Sequence, residues 1–149
     1  ATIYGPAAYQ DLMVFDALIC NRDRHLGNFG YLVDNNTGAY LSPAPIFDNG
    51  FSLLYGAARS NMADIPAYPA TIEGKYLPLD QQARLFLQLR HIPAIRSLLN
   101  FQFQKHPKYN VSDACLVKMN EMIQLRARRL LGIYQEKKLT QENVNTSYR

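Results

Sequence analysis

The strongest constraint on the fold lies near the C-terminus. Leu116, Met119, Ile123, Ala127, Leu130 and Tyr134 recur at intervals of 3, 4, 4, 3 and 4 residues. Only an α-helix gathers such positions on one face. The spacing predicts a helix over 113–138, with Ser112 as its N-cap. The stripe covers fewer than three heptads, so it reads as a core-facing surface rather than a coiled-coil seam. Such a face needs packed partners, because helices draw most of their stability from tertiary burial.

The partners are legible in outline. Residues 8–20, "AYQDLMVFDALIC", place Leu12, Phe15, Leu18 and Ile19 on one helical face. Asp80 is the expected N-cap of a helix running to about Arg90, and a further helix is expected from Pro93, carrying Ile95, Leu98 and Leu99. These elements and the long helix form an expected helical bundle over 79–138. Between the first helix and the bundle, "FGYLV" (29–33) and "AYLSPAPIF" (39–47) read as two strands around the turn "DNNTG", with Gly38 suited to positive φ. Pro43 and Pro45 make the second strand an edge or an irregular one. Residues 56–78 hold Pro66, Pro69, Gly74 and Pro78 without a period and read as loop. The polar tail 140–149 is expected to fray. The expected fold is mostly α with a small β-hairpin, one domain over 1–139.

Apolar residues make up 48% of the 149, enough for one packed core. Apolar runs are short, so no membrane span is expected. No signal peptide is visible, and the start lacks a Met, which fits a processed product or an excised piece. Cys20 and Cys115 are far apart and in no metal-binding pattern, so both read as small core residues in a cytoplasmic protein. The net charge of +4 is uneven: residues 105–138 hold 8 Lys/Arg against 3 Asp/Glu. Such a helix is either a solvated face or a surface for nucleic acid or acidic protein.

The chemistry concentrates in residues 21–30, "NRDRHLGNFG". A turn needs the glycines and an asparagine; it does not need Asp23, His25 and Asn28 together. The hairpin should return "IFDNG" (46–50) to the same end, setting Asp48 near Asp23 and Asn28. Two acids and an amide suit phosphoryl transfer, where catalysis is mostly positioning and charge stabilisation. Mg²⁺ takes hard oxygen ligands, and Asn28 and Asp48 offer an amide carbonyl and a carboxylate. Asp23 is left to accept the proton of an attacking hydroxyl. The five-residue step from Asp23 to Asn28 equals that of the kinase catalytic loop, and Asp48-Asn49-Gly50 falls where an Asp-Phe-Gly metal motif would. Arg22 and Arg24 are placed either to touch phosphate or to pair with neighbouring acids; Arg24 is assigned to the nucleotide.

"NRDRHLGNFG" followed by "PIFDNGFSLL", with the helix segment "FDALICN" before them, resembles the catalytic and metal-binding segments of HipA-like kinases. These are bacterial Ser/Thr protein kinases, often toxins of toxin–antitoxin pairs. The D-R-H-x-x-N core is also similar to phosphoinositide 3-kinase-like kinases. The resemblance is dense over about residues 11–55. It implies a protein-kinase-like C-terminal lobe, ATP and Mg²⁺, with Asp23 as catalytic base and Asn28 and Asp48 as metal ligands. It implies a protein substrate, a helix-turn-helix antitoxin as partner, and contact with DNA through that partner. His25 stands in for the histidine that protein kinases place before the aspartate; it is expected to brace the loop, with direct catalysis as the alternative.

A kinase also needs a glycine-rich loop and a lysine on the nucleotide phosphates. The first lysine here is Lys75, and no G-x-G-x-x-G occurs. The expectation is therefore a C-terminal lobe without its N-terminal lobe, with weak turnover alone. Residues 56–78 take the place of an activation or substrate-binding segment, with Tyr55, Ser60, Tyr68 and Thr71 as conceivable phosphorylation points. Two other readings stay open: an inert kinase-like module that binds a protein partner, and a metal-dependent phosphohydrolase built on Asp23, His25 and Asp48.

Overall fold

Helix α1, Pro6–Ile19, starts on Gly5 with Pro6 in its first turn, where a fixed φ and a missing N–H cost nothing. The computed structural model describes residues 5–57 and 62–147, the last six through their backbone alone. Leu12, Met13, Val14, Asp16 and Ala17 form the buried face of α1. The helix stops at Cys20, which takes a left-handed φ of 56° and returns its N–H to the Asp16 carbonyl. A non-glycine residue there is strained, and the cap is held from several sides. Asn21 N–H also reaches Asp16 O at 2.9 Å, Leu53 N–H reaches Ile19 O at 2.7 Å, and the Arg126 guanidinium covers Ala17 O at 2.8 and 3.0 Å. Burial pushes the Cys20 thiol up to about 11, as expected of a core residue.

The hairpin pairs β1 (Tyr31–Val33) with β2 (Tyr40–Pro43) antiparallel, Tyr31 opposite Pro43 and Leu32 opposite Ser42, with a bulge between Leu32 and Val33. Asp34 Oδ1 holds the turn by accepting from Asn36 and Thr37 N–H, and Gly38 takes φ 71°. The second strand was expected to reach residue 47 and ends at Pro43, because Pro45 has no N–H to extend a ladder.

The bundle consists of α2 (Leu79–Phe86), α3 (Ile92–Ser97) and α4 (Asp113–Ser147). Three expectations need correction. Asp80 is not an N-cap: Pro78 precedes the helix, and the Asp80 carboxylate in the first turn binds Arg126 and Arg129. Helix α2 ends four residues before Arg90, because Leu87 turns extended to enter the core and residues Leu89–His91 form a separate 3₁₀ turn with its own capping box. The tail does not fray at 139. Helix α4 continues to Ser147, through residues that include no Gly or Pro to stop it. Ser112 does cap α4, accepting from Cys115 N–H at 3.2 Å. The stripe on α4 is shifted, with Met122, Ile123, Arg126, Ala127, Leu130 and Ile133 buried while Leu116 and Met119 lie half-buried.

Two apolar clusters meet at α1 and α4. One joins Val14 and Ala17 to Ala83, Leu87, Ile92, Ile95, Ala127, Leu130 and Ile133. The other joins Cys20 to Ile65, Tyr68, Ile72, Leu79 and Met122. Residues 62–78 are thus anchored in a core rather than free, and Tyr68, one of the four hydroxyls named as conceivable phosphorylation points, is 5% exposed. Ser60 lies outside the described residues. Among the described residues no helix is long and apolar enough to cross a membrane.

Candidate functional site

The hairpin returns the chain along the loop it came from. Past Pro43, Ala44 N–H binds Gly30 O at 2.8 Å, Arg22 N–H binds Phe51 O at 3.2 Å, and Leu53 N–H binds Ile19 O at 2.7 Å. Residues 19–31 and 43–53 therefore run antiparallel from the end of α1 to the hairpin. The two polar motifs, 21–30 and 46–50, face each other across this seam.

Arg24 locks the seam. Its guanidinium pairs bidentately with Asp16, Nε to Oδ2 and Nη2 to Oδ1, both at 2.9 Å. Nη1 donates to Asn28 O at 2.6 Å and Phe47 O at 2.7 Å, and Nη2 donates to Asn49 Oδ1 at 2.6 Å. All five N–H groups are used. Arg24 is 3% exposed and Asp16 is fully buried. The assignment of Arg24 to the nucleotide gives way: no N–H remains for phosphate, and the residue binds α1, residues 21–30 and residues 46–50 together. Asp16 escaped the sequence reading. Its signal was an acid on the apolar stripe of α1, four positions from both Leu12 and Cys20, which demands a buried cation nearby. Asn21 Nδ2 adds a bond to Asp16 Oδ1 at 3.1 Å.

Around this knot the expected reactive groups are held unequally. Asn28 is 5% exposed and its Nδ2 donates to Asp23 O at 3.1 Å, which fixes the side-chain amide. Asp23 N–H is held by Asn21 Oδ1 at 3.1 Å, while the carboxylate itself is 35% exposed. His25 Nδ1 accepts from Gly27 N–H at 3.1 Å and caps the 3₁₀ turn Leu26–Asn28. In the neutral ring this leaves the proton on Nε2. Asp48 is exposed and takes φ 54°, a strained conformation for any residue with a Cβ. Arg24 holds both of its neighbours, Phe47 through its carbonyl and Asn49 through Oδ1.

Two more side chains join the site. Lys75 Nζ lies 3.9 Å from Asp23 Oδ1. Nothing in the linear pattern indicated this, because 52 positions separate the two residues. Arg22, the other arginine with an open role, binds Tyr55 O at 2.8 Å and the Tyr68 hydroxyl at 3.0 Å, tying the loop to residues 55–68. The basic helix is engaged internally as well. Arg126 is buried, Arg129 binds Asp80 and Glu136, Lys118 pairs with Glu121, and Lys137 donates to Leu87 O.

Among the described residues no three His, Cys, Asp or Glu side chains gather around a metal-sized point. A site of one amide and one carboxylate, completed by phosphate oxygens and water, is of a different kind. No family model, curated protein or solved structure matches the chain.

Proposed function

We propose that the seam between residues 21–30 and 46–50 is an ATP- and Mg²⁺-dependent phosphoryl-transfer site, of the HipA-like Ser/Thr protein kinase type, with a protein hydroxyl as acceptor. One arrangement carries the reading: Asn28 O and Phe47 O share Arg24 Nη1 while Asn28 Nδ2 is committed to Asp23 O. The Asn28 side-chain carbonyl, the Asp48 carboxylate and the Asp23 carboxylate then stem from neighbouring stretches of backbone along the seam. Asn28 Oδ1 and Asp48 would hold Mg²⁺. Bound there, the ion would offset negative charge on the phosphoryl oxygens. Asp23 accepts the proton of the acceptor hydroxyl as its oxygen bonds to the γ-phosphorus and the bond to the β-phosphate oxygen of ADP breaks. His25 keeps the loop in shape, and Arg24 keeps the two motifs in register.

The chain offers this site no glycine-rich clamp, so turnover by the 149 residues is expected to be slow. The test is therefore binding plus a single turnover. Mn²⁺·ATP binding, read by electron paramagnetic resonance, should be lost in an Asn28→Ala/Asp48→Asn double variant. With protein in excess over γ-labelled ATP, label transfer should vanish in Asp23→Asn while Mn²⁺·ATP still binds. Binding that survives the double variant would falsify the proposal.

A second reading, a binding module without turnover, draws on one observation. Leu26 in the loop and Tyr40 and Leu41 on the hairpin are 79%, 60% and 63% exposed, large apolar groups suited to a protein partner. A helix-turn-helix antitoxin that binds the Asp23/Asp48 double alanine variant as well as the parent, with no Mn²⁺·ATP binding in either, would favour it.

A further inference from the structure

The lysine beside Asp23 is delivered by a built turn. Glu73 and Pro78 form an antiparallel bridge, and Lys75 sits in the loop they close. Ile72 and Leu79, on either side, are 6% and 3% exposed, so both ends of the turn are anchored in the core. Gly74 is required: a Cβ there would lie 2.6 Å from Leu77 O, a backbone atom that cannot step aside. The tightness of this turn fixes where the Lys75 side chain starts, yet the side chain is 49% exposed and keeps its own freedom.

The contact it makes is loose. At 3.9 Å from Asp23 Oδ1 the ammonium is beyond hydrogen-bonding distance, and both groups are in water. Pairs of this kind contribute little to stability and are exchanged readily. A cation near the base, on a long flexible stem, rooted in a rigid turn, is placed to leave one anion for a stronger one. The γ-phosphoryl group of ATP, presented for attack by a hydroxyl at Asp23, brings that anion within its reach.

We propose that Lys75 is a catalytic cation: paired with Asp23 at rest, it moves to the oxygens of the transferring phosphoryl group and steadies their charge as the bond to ADP breaks. This rests on the phosphoryl-transfer reading and adds to it a group supplied from beyond the metal motif. Lys75 stays protonated throughout. The hydroxyl proton goes to Asp23, the phosphoryl goes to the acceptor oxygen, and ADP leaves with the bonding pair. Departure of Lys75 also frees the Asp23 carboxylate to take the proton.

The test compares Lys75→Met, Lys75→Arg, Asp23→Asn and Asp48→Asn in the whole chain, each checked for an unchanged melting temperature. Lys75→Met should slow single-turnover transfer on the order of 10²-fold, the loss typical of one charge-stabilising donor. Mn²⁺·ATP affinity should stay within about twofold, because the interaction belongs to the transition state. Lys75→Arg should recover most of the rate. Binding of ADP with aluminium fluoride, a mimic of the transferring group, should weaken in Lys75→Met in parallel with the rate. Transfer and mimic binding at the parent level in Lys75→Met, beside loss in Asp23→Asn, would overturn the inference and leave the phosphoryl-transfer reading standing. A loss of Mn²⁺·ATP affinity in Lys75→Met equal to the loss of rate would also overturn it, since the lysine would then be a substrate-binding group. A parent in which transfer and Mn²⁺·ATP binding ignore both Asp23→Asn and Asp48→Asn would remove the reading, and the inference with it.

Discussion

Asp16 with Arg24, and Asp23 with Lys75, are two acid–base pairs that each take one member from residues 21–30, and they could hardly be held more differently. The first is buried, bidentate at 2.9 Å, and surrounded by five acceptors for five donors. The second is half-exposed and 3.9 Å long. A buried pair with every proton placed cannot rearrange without leaving a charge unsatisfied in a medium of low polarity. An exposed loose pair rearranges at almost no cost. The knot therefore sets the geometry, and the rim is left free to rearrange.

The sharpest way to break this contrast is to remove the knot. Arg24→Met leaves Asp16 buried without its partner, and loss of one member of a buried pair costs about 3–5 kcal/mol. Arg24→Lys should recover only part of that, since one ammonium cannot reproduce a five-pronged planar fork. Urea denaturation measures both. The rim variants Asp23→Asn and Lys75→Met should leave the urea midpoint close to that of the parent. Equal losses at knot and rim would show that the two pairs share the structural task rather than divide it.

Parts of this contrast were legible in the sequence and parts were not. The helices at 8–20 and 113–138 were readable because apolar spacing reports a buried face directly. Their ends were less so: α4 outruns its stripe, since a helix already nucleated continues through any run of fair helix formers. Asp23, Asn28 and Asp48 stood out in the sequence as polar residues beyond the needs of an ordinary turn, and the Arg24 contacts bring the backbone of Asn28 and Phe47 together. Arg24 was read as a ligand because sequence shows charge without showing depth. Its partner Asp16 lies eight positions back, on a face whose burial became visible only with α1 packed against α2 and α4. Lys75 was out of reach, because its approach to Asp23 depends on the closing of the turn at Glu73 and Pro78.

A smaller effect sharpens the same comparison at Asp48. The residue sits at φ 54°, where glycine has no steric cost and an L-residue does. Asp48→Gly should leave the melting point unchanged or raise it, by up to about 1 kcal/mol of stability. The same change should abolish Mn²⁺·ATP binding. Gain of stability with loss of binding is the signature of strain kept for function. If Asp48→Gly destabilises the protein, the carboxylate contributes to the fold, and the rim is less free of structural duty than the knot implies.

The smallest effect is set by pH and lies away from the site, at Asp80. Partial burial alone would raise its carboxyl, but hydrogen bonds from Arg129 and Arg126 outweigh this and hold it below the ordinary value of 3.8. A carboxyl whose pKa is lower folded than unfolded stabilises the protein at pH above the unfolded value, and that contribution is lost as pH falls through the folded one. Urea midpoints measured down through pH 4 should therefore fall less steeply in Asp80→Asn than in the parent, with the two curves parallel near neutrality. Asp80 is half-exposed, so the difference will be modest. Its reach still extends to the seam: Arg126, fixed by Asp80, covers the Ala17 carbonyl at the end of α1, one turn from Asn21 where the polar loop begins. If Asp80→Asn also loosens that end of the helix, hydrogen exchange at Asn21 and Leu53 should quicken, whereas exchange within β1 and β2, anchored separately by Asp34, should not.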